Sequence, residues 1–110
     1  MEQMMTLREV CIVTNVSRRA IQGYEKAGLL SCSAKTERGY LLYDKEMQER
    51  IKEIKLYQEI GFRIKEIEGI IDSANSVRRQ ALEQQLVKLE QRREQDEALI
   101  ETVKELIKQL

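Results

Sequence analysis

Apolar residues near the start of the chain recur at helical spacing and mark two short helices in close succession. One face of the first predicted helix carries Leu7, Val10, Cys11 and Thr14. Residues 6–9 read Thr-Leu-Arg-Glu, which has the form of a capping box, so the helix is expected to begin there. Asn15 and Val16 can turn the chain, and Ser17 is placed to cap a second helix that ends before Gly28. Two helices joined by so short a connection predict a helix-turn-helix.

The segment after these helices has the pattern of a β-hairpin. Residues 36–39 are polar and end in a glycine, and they lie between two short apolar segments, residues 29–30 and residues 40–43. A helix-turn-helix followed by a hairpin predicts a winged helix-turn-helix. The commonest role of such a module is to bind duplex DNA.

Two more helices are predicted after the hairpin. Asp44 has the position of an N-cap and Gly61 that of a C-terminal stop, so the third helix is expected between them. Its buried face is expected to carry Met47, Ile51, Ile54 and Tyr57. A shorter fourth helix is expected from about Arg63, and its apolar face would carry Ile64, Ile67, Ile70 and Ile71. Residues 73–76 then form a polar break.

The last third of the chain has the composition of one long exposed helix. Residues 77–110 contain no glycine and no aromatic residue, and their charges alternate. At about 1.5 Å per residue such a helix is roughly 50 Å long, too long to be buried against so small a head, so it needs a partner. The sequence therefore predicts a mainly α protein, with a winged helix-turn-helix domain in residues 1–75 and a long C-terminal coiled-coil dimerisation helix in residues 76–110.

The long helix carries a coiled-coil seam at the alternating spacing of four and three residues. The seam residues are Leu82, Leu86, Leu89, Arg93, Asp96, Ile100, Val103, Ile107 and Leu110. Arg93 and Asp96 interrupt this otherwise aliphatic seam near its middle. In a parallel dimer each would face its own copy, whereas in an antiparallel dimer Arg93 faces Asp96 of the other chain, twice. The sequence favours an antiparallel homodimer over the alternative in which the helix folds back on its own head domain.

The charge balance gives little help with function. The chain carries 19 Lys and Arg residues against 19 Asp and Glu residues, a formal net charge of zero, although domains that bind nucleic acid usually show a basic footprint. Residues 1–45 hold seven basic and five acidic residues, a surplus of only two. A nucleic-acid interface would therefore depend on where individual cations lie.

Candidate DNA contacts are found at the start of the second helix and on the hairpin. They are Ser17, Arg18, Arg19 and Gln22, then Tyr24 one turn further on, and Lys35, Arg38 and Tyr40 on the hairpin. Arg can bridge O6 and N7 of guanine, and Gln can bridge N6 and N7 of adenine. The hairpin residues suit contacts to the DNA backbone. Tyr24 could equally be a core residue, because it lies three positions after Ile21.

The sequence gives no support for catalysis, a metal site or a membrane span. The chain has no histidine, no glycine-rich loop for phosphate and no paired nucleophile and base, so an enzyme is not expected. Two thiols are too few ligands for a zinc site, so no metal or cofactor is expected. Cys11 is predicted to be packed in the core. No apolar run approaches roughly 20 residues and no secretion signal is evident, which indicates a cytoplasmic protein with reduced thiols and no membrane contact.

Five ordered motifs resemble those of the MerR family of bacterial transcription regulators. They read LREV at residues 7–10, VSRRAI at residues 16–21, YEKAGLL at residues 24–30, GYLLY at residues 39–43 and EIGF at residues 59–62. The resemblance covers about residues 6–73, and the chain is similar to a short family member without an effector-binding domain. It implies a homodimer joined by an antiparallel coiled coil, a pseudo-palindromic operator in double-stranded DNA, and RNA polymerase as a further partner.

The chain departs from the family pattern at several contact positions. Arg is usual in the family at the positions of Gln22 and Leu41, and a second basic residue is often found at that of Ala34. The resemblance therefore implies that some of the grip on phosphates is missing and partly replaced by Arg38. The alternative function is a protein-interaction adaptor, in which the winged head docks another protein and the coiled coil oligomerises it. The neutral net charge favours that alternative.

Overall fold

The computed structural model describes residues 4–110 and shows a mainly helical chain with one small sheet. Along this part of the chain the elements are β1 (Met5–Thr6), α1 (Leu7–Thr14), α2 (Arg18–Lys26), β2 (Ala34–Lys35), β3 (Leu41–Tyr43), α3 (Lys45–Ile60), α4 (Ile64–Ile70) and α5 (Asn75–Lys108). They fall into two compact units, which divide between Asp72 and Ser73. The predicted fold class, a winged helix-turn-helix head followed by a long C-terminal helix, is confirmed.

The helix-turn-helix begins at the capping box that the sequence predicts. The Glu9 N–H donates to the Thr6 hydroxyl at 3.2 Å, and the Thr6 N–H donates to the Glu9 carboxylate at 3.0 Å. These bonds satisfy donors that the first turn of a helix would otherwise leave without partners. The Thr6 N–H, by donating to the carboxylate, lowers the pKa of Glu9. α1 ends where Asn15 adopts a left-handed conformation with a φ of 56°, and the chain turns there toward α2.

The sheet has the strand order β1-β3-β2, and both pairings are antiparallel. β2 and β3 form the predicted hairpin, with Lys35 opposite Leu41. β1 lies on the other side of β3, with Met5 opposite Tyr43. The sequence does not predict β1, because two residues are too few to give an alternating pattern.

The first strand of the hairpin does not lie where the sequence predicts it. The apolar pattern places it at residues 29–30, which is wrong, because the structure has it at Ala34–Lys35. Leu29 is not available to the sheet, since its N–H donates to the Tyr24 carbonyl at the end of α2. Leu29 and Leu30 are buried instead, so their apolar character reflects core packing rather than strand pairing.

α3 and α4 complete the first unit. The Asp44 carboxylate caps α3 by accepting from the Met47 N–H at 2.9 Å, and Gly61 ends the helix with a φ of 118°. Met47 itself is half-buried, whereas the rest of the predicted apolar face of α3 is buried. The apolar residues expected on α4 are likewise buried, except for the half-buried Ile64. The most deeply buried side chains of this unit are Val10, Ile21, Tyr43, Ile51, Ile54 and Ile67.

α5 runs from Asn75 to Lys108 as one uninterrupted helix. It begins inside the polar break predicted at residues 73–76, so that break is shorter than the sequence pattern suggests. None of its residues is buried, and aliphatic residues along the predicted seam keep about half of their surface exposed. Among residues 4–110, none of the helices combines the length and the hydropathy that a membrane span requires.

Candidate nucleic-acid interface

The start of α2 presents four of the predicted contacts to solvent. The Ser17 hydroxyl accepts from the Ala20 N–H at 3.0 Å and so caps the helix. The cap fixes the first turn, in which Arg18 and Arg19 are exposed. Gln22 lies one turn further along and is also exposed. The N-terminal end of α2 therefore offers guanidinium and amide groups to an external ligand.

Tyr24, the fifth candidate on α2, is a core residue. Only 3% of its surface is exposed, and its hydroxyl donates to the Gln58 side chain of α3 at 2.5 Å. Burial, together with the charge of Glu59, raises the pKa of this hydroxyl. Of the two roles that the sequence leaves open for Tyr24, the structure supports packing, because the side chain fastens α2 to α3.

α3 also holds the turn between α1 and α2. The Lys55 ammonium donates to the Asn15 carbonyl at 2.7 Å and to the Thr14 carbonyl at 3.5 Å. A cation at this end of α1 meets carbonyl groups that the last turn of a helix leaves without partners, and the helix dipole favours it there. Lys55 thus ties the turn of the helix-turn-helix to α3.

Arg50 of α3 holds the chain just beyond α2. Its Nε–H donates to the Leu29 carbonyl at 2.5 Å, while its terminal nitrogens donate to the two oxygens of the Asp72 carboxylate at 2.7 and 2.8 Å. The planar fork of a guanidinium matches the geometry of a carboxylate. The hydrogen bond to Asp72 raises the pKa of Arg50 above its ordinary value. Arg50 thus joins the exit of α2 to the last residue of the first unit.

The wing ends in a tight turn. The Gly39 N–H donates to the Thr36 carbonyl at 2.9 Å, and the Thr36 N–H donates to the Tyr40 carbonyl at 2.9 Å. Gly39 has a φ of 86°, the left-handed conformation that follows a type I turn in a three-residue hairpin loop. The turn exposes Arg38 at its tip, with the exposed Lys35 and Tyr40 on either side.

A groove of about 610 Å³ lies between α1, α2 and the wing. Its lining residues are Thr6, Leu7, Arg8, Arg18, Gln22, Gly39, Tyr40 and Leu41. The groove brings Arg18 and Gln22 of α2 together with Tyr40 of the wing, and it also includes Arg8 of α1. Arg8 is not among the contacts predicted from the sequence, although an exposed cation in the first turn of a capped helix was a signal that could have found it.

The cations of this surface have no partner within the described chain. Across residues 4–110, the structure shows neither an ion pair nor a side-chain hydrogen bond for five cations, Arg8, Arg18, Arg19, Lys35 and Arg38. Arg8 and Arg18 line the groove, whereas the other three extend the cationic surface beyond it. Guanidinium and ammonium groups that are not engaged by carboxylates remain available to phosphate groups.

Comparison with known proteins identifies the family of the head unit. Residues 5–74 match the profile of the MerR HTH family regulatory proteins. The chain is 34% identical over 97 residues to the HTH-type transcriptional activator mta of Bacillus subtilis, a match that covers 88% of this chain and 38% of that protein. It is 32% identical over 78 residues to the mercuric resistance operon regulatory protein of Bacillus cereus, covering 68% of this chain and 59% of that protein. The chain thus spans less than two thirds of each of these relatives, which are regulators rather than enzymes.

Solved structures show the same architecture. The N-terminal part of MtaN, the Bacillus subtilis multidrug transporter activator, superposes with a TM-score of 0.74 at 32% identity and covers 94% of this chain and 97% of that one. A MerR family transcriptional regulator from Bacillus cereus superposes with a TM-score of 0.83 at 27% identity, covering 97% and 82%. The fold is also that of HiNmlR, a MerR family regulator bound to promoter DNA, with a TM-score of 0.73 at 16% identity. The chain therefore belongs to the MerR family of DNA-binding helix-turn-helix transcription regulators.

Proposed function

We propose that the chain acts as a homodimeric, sequence-specific transcription regulator on a pseudo-palindromic operator. The observation that carries this proposal is the set of five cations on α1, α2 and the wing that have no partner among the described residues. The net charge of the chain is zero, so unpaired cations gathered around a helix-turn-helix point to an anionic partner. Duplex DNA is the anionic partner that helix-turn-helix folds commonly bind.

The contacts divide into base reading and backbone positioning. Arg18 and Gln22 share one groove and suit base edges, Arg18 as a donor to guanine and Gln22 as a bidentate partner of adenine. Arg19, with the capping Ser17 beside it, supplies a second contact from the recognition helix, and Arg8 suits a phosphate. The wing is expected to contact the DNA backbone through Lys35, Arg38 and Tyr40.

α5 supports a dimer because its aliphatic seam is left in water in a single chain. Leu86, Ile100 and Val103 keep 54%, 51% and 53% of their surfaces exposed. Fully burying such a side chain contributes about 1.5–3 kcal/mol, and a heptad seam achieves this by packing against another helix. A second copy, antiparallel and centred between Arg93 and Asp96, would bury the seam and pair those two residues with opposite charges.

The symmetry of such a dimer determines the kind of operator. Two heads related by a twofold axis present two copies of α2, so the operator is expected to contain inverted half-sites. Family members often bend or untwist the promoter. We extend the proposal to RNA polymerase as the partner whose binding depends on this change in promoter shape. The chain would act in the cytoplasm, where its thiols remain reduced.

Selection of duplexes from a random-sequence library by the purified chain tests this proposal. We expect the bound sequences to share two inverted half-sites and the complex to contain two chains per duplex. The matched control is the double variant Arg18→Ala with Gln22→Ala, which should lose the shared motif. Bound sequences without a common motif would contradict sequence-specific recognition. A complete absence of duplex binding would favour the protein-interaction adaptor instead.

A further inference from the structure

Gly23 occupies the interior of α2, where the described chain gives no reason for a glycine. Apart from proline, glycine is the residue that least favours a helix interior. Gly28, just beyond the helix, has a φ of 79°, which accounts for a glycine there, whereas Gly23 lies in regular helix and its φ is not positive. Beyond its own helix backbone and its two chain neighbours, a methyl group on Gly23 would meet no atom within 4 Å in the part of the chain that the structure describes. The reason for this glycine is therefore to be sought outside the chain.

Two cations flank Gly23 on the same face of the helix. Arg19 lies four positions before it and Lys26 three positions after it, and residues at these spacings are neighbours on a helix surface. All three residues are exposed. From Arg19 to Lys26 the helix rises by about 10 Å, and Gly23 leaves bare backbone between the two side chains. We call these three residues the α2 notch.

The described chain does not neutralise the cations of the α2 notch. Within residues 4–110, neither Arg19 nor Lys26 shows an ion pair or a side-chain hydrogen bond. The acidic residue of α2, Glu25, instead accepts from the hydroxyl of the fully buried Tyr43. The helix dipole favours a cation such as Lys26 in the last turn, but it does not account for a glycine one turn earlier. The notch therefore has the form of an anion site with a cation at each end.

We propose that the α2 notch binds a phosphodiester group and lets one strand of duplex DNA lie directly against α2. The guanidinium of Arg19 matches a pair of phosphate oxygens, and the ammonium of Lys26 acts as a point charge on a flexible stem. Gly23 allows the strand to come closer to the helix backbone than a side chain would permit. Arg18 and Gln22 line the neighbouring groove and are left for base edges. This inference rests on the proposed DNA-binding function and gives Arg19 a phosphate rather than a base.

The experiment compares Gly23→Ala with a matched glycine variant, Gly69→Ala. Gly69 is exposed near the end of α4, a methyl group there also has no atom within 4 Å of the kind described for Gly23, and α4 carries none of the candidate DNA contacts. Both variants should raise Tm by a few degrees, because alanine favours a helix more than glycine does. Only Gly23→Ala should weaken DNA binding, by about tenfold, because its methyl group intrudes on a close contact.

Fluorescence anisotropy with the selected operator and with a duplex of arbitrary sequence measures the affinities. The loss in Gly23→Ala should be equal on the two duplexes, since a phosphate carries no sequence information. Arg19→Ala and Lys26→Ala should each lower the slope of log K against log salt concentration by about one. In a chain that carries both of these substitutions, adding Gly23→Ala should cost less than about threefold, because the strand is no longer drawn to the notch.

The outcomes separate the α2 notch from the function on which it rests. Wild-type binding together with an unchanged affinity in Gly23→Ala would overturn the notch alone. A loss confined to the operator would also overturn it, because position 23 would then face a base rather than a phosphate. A lower Tm in Gly23→Ala would show that the fold itself requires this glycine, which removes the reason for the proposal. A wild-type chain that binds neither duplex would overturn the proposed function and the notch with it.

Discussion

The cations on α2 and the wing differ from those on α3 in whether the chain itself provides a partner. In residues 4–110, Arg18, Arg19 and Lys35 have none. The cations of α3 have partners within the chain. Lys45 and Lys52 pair with Glu49, Arg50 pairs with Asp72, and Lys55 pairs with Glu59. The net charge of zero averages over both regions and hides the difference. The two regions therefore differ in the pairing of their cations rather than in the number of charges.

The largest expected effect concerns a charged pair whose partners are proposed to lie in a second chain. Arg93 and Asp96 are exposed and form no salt bridge with each other within the described residues. Asp96→Arg should weaken the dimer, because each Arg93 then faces another cation. Breaking a fully dry pair costs about 3–5 kcal/mol, and a seam open to water at its edges should lose less than that. Sedimentation equilibrium measures the loss.

The reversed pair is the control for this register. Arg93→Asp combined with Asp96→Arg restores opposite charges and should recover most of the dimer affinity. If the double variant dissociates more readily than Asp96→Arg alone, the antiparallel alignment between these residues is wrong.

Removing a paired cation should affect stability rather than binding. Arg50→Ala loses the hydrogen bonds to Leu29 and to Asp72, and hydrogen bonds to charged groups contribute about 1.5–3 kcal/mol. Because the Asp72 side chain is 71% exposed, solvent screens the ion pair, and we expect a loss of about 2 kcal/mol in the free energy of unfolding. Urea denaturation measures it. Lys52→Ala, which removes an exposed pair, is the control and should change stability by less than about 0.5 kcal/mol.

Removing an unpaired cation from α2 should reduce DNA binding and leave the stability of the fold unchanged. Arg18→Ala should reduce affinity for the selected operator by about 1–3 kcal/mol, since it removes a base contact, while the free energy of unfolding stays within about 0.5 kcal/mol. Fluorescence anisotropy with the operator and with an unrelated duplex separates base reading from phosphate contact. An equal loss on the two duplexes would show that Arg18 does not read sequence.

The wing should contribute a smaller effect that does not depend on sequence. Lys35→Ala should weaken binding to all duplexes alike and lower the slope of log K against log salt concentration by about one. The same titration of Lys52→Ala is the control, and its slope should match that of the wild type. A Lys35→Ala protein with unchanged affinity and slope would remove the wing from the binding surface.

The smallest effect is expected at the capping box. Hydrogen bonds from Thr6 lower the pKa of Glu9, so its stabilising contribution is complete above the unfolded-state pKa and is lost as pH falls through the folded-state value. Thermal unfolding between neutral and acid pH should therefore show a slightly steeper loss of stability for the wild type than for Glu9→Gln. Parallel curves would mean that the Glu9 carboxylate contributes nothing to the cap.

Local features of the fold could be predicted from the sequence because their physics is local. Ser17 and Asp44 cap helices through bonds to the third residue beyond them, and Gly28 and Gly61 end helices in a conformation that glycine favours. The hairpin strand at residues 29–30 was predicted wrongly because apolar character alone does not tell a buried helix stop from a strand.

The partners of side chains in and around the candidate site could not be predicted in the same way. Arg50 and Asp72 are separated by 22 positions, and Tyr24 finds Gln58 across 34 positions, so their partners appear only once the chain is folded. Arg8 joins Arg18 and Gln22 in one groove for the same reason. Sequence spacing identifies which cations are exposed on α2 and the wing, but only tertiary structure shows which cations are already engaged.

The salt dependence of operator binding by the wild-type chain tests the central claim most directly. Each phosphate neutralised adds about −0.9 to the slope of log K against log salt concentration. If Arg8 of α1 and Lys35 and Arg38 of the wing engage phosphates in both halves of a dimer, the slope should be steeper than about −4. A slope near zero would contradict the proposed interface, because it would mean that these cations do not contact the DNA backbone.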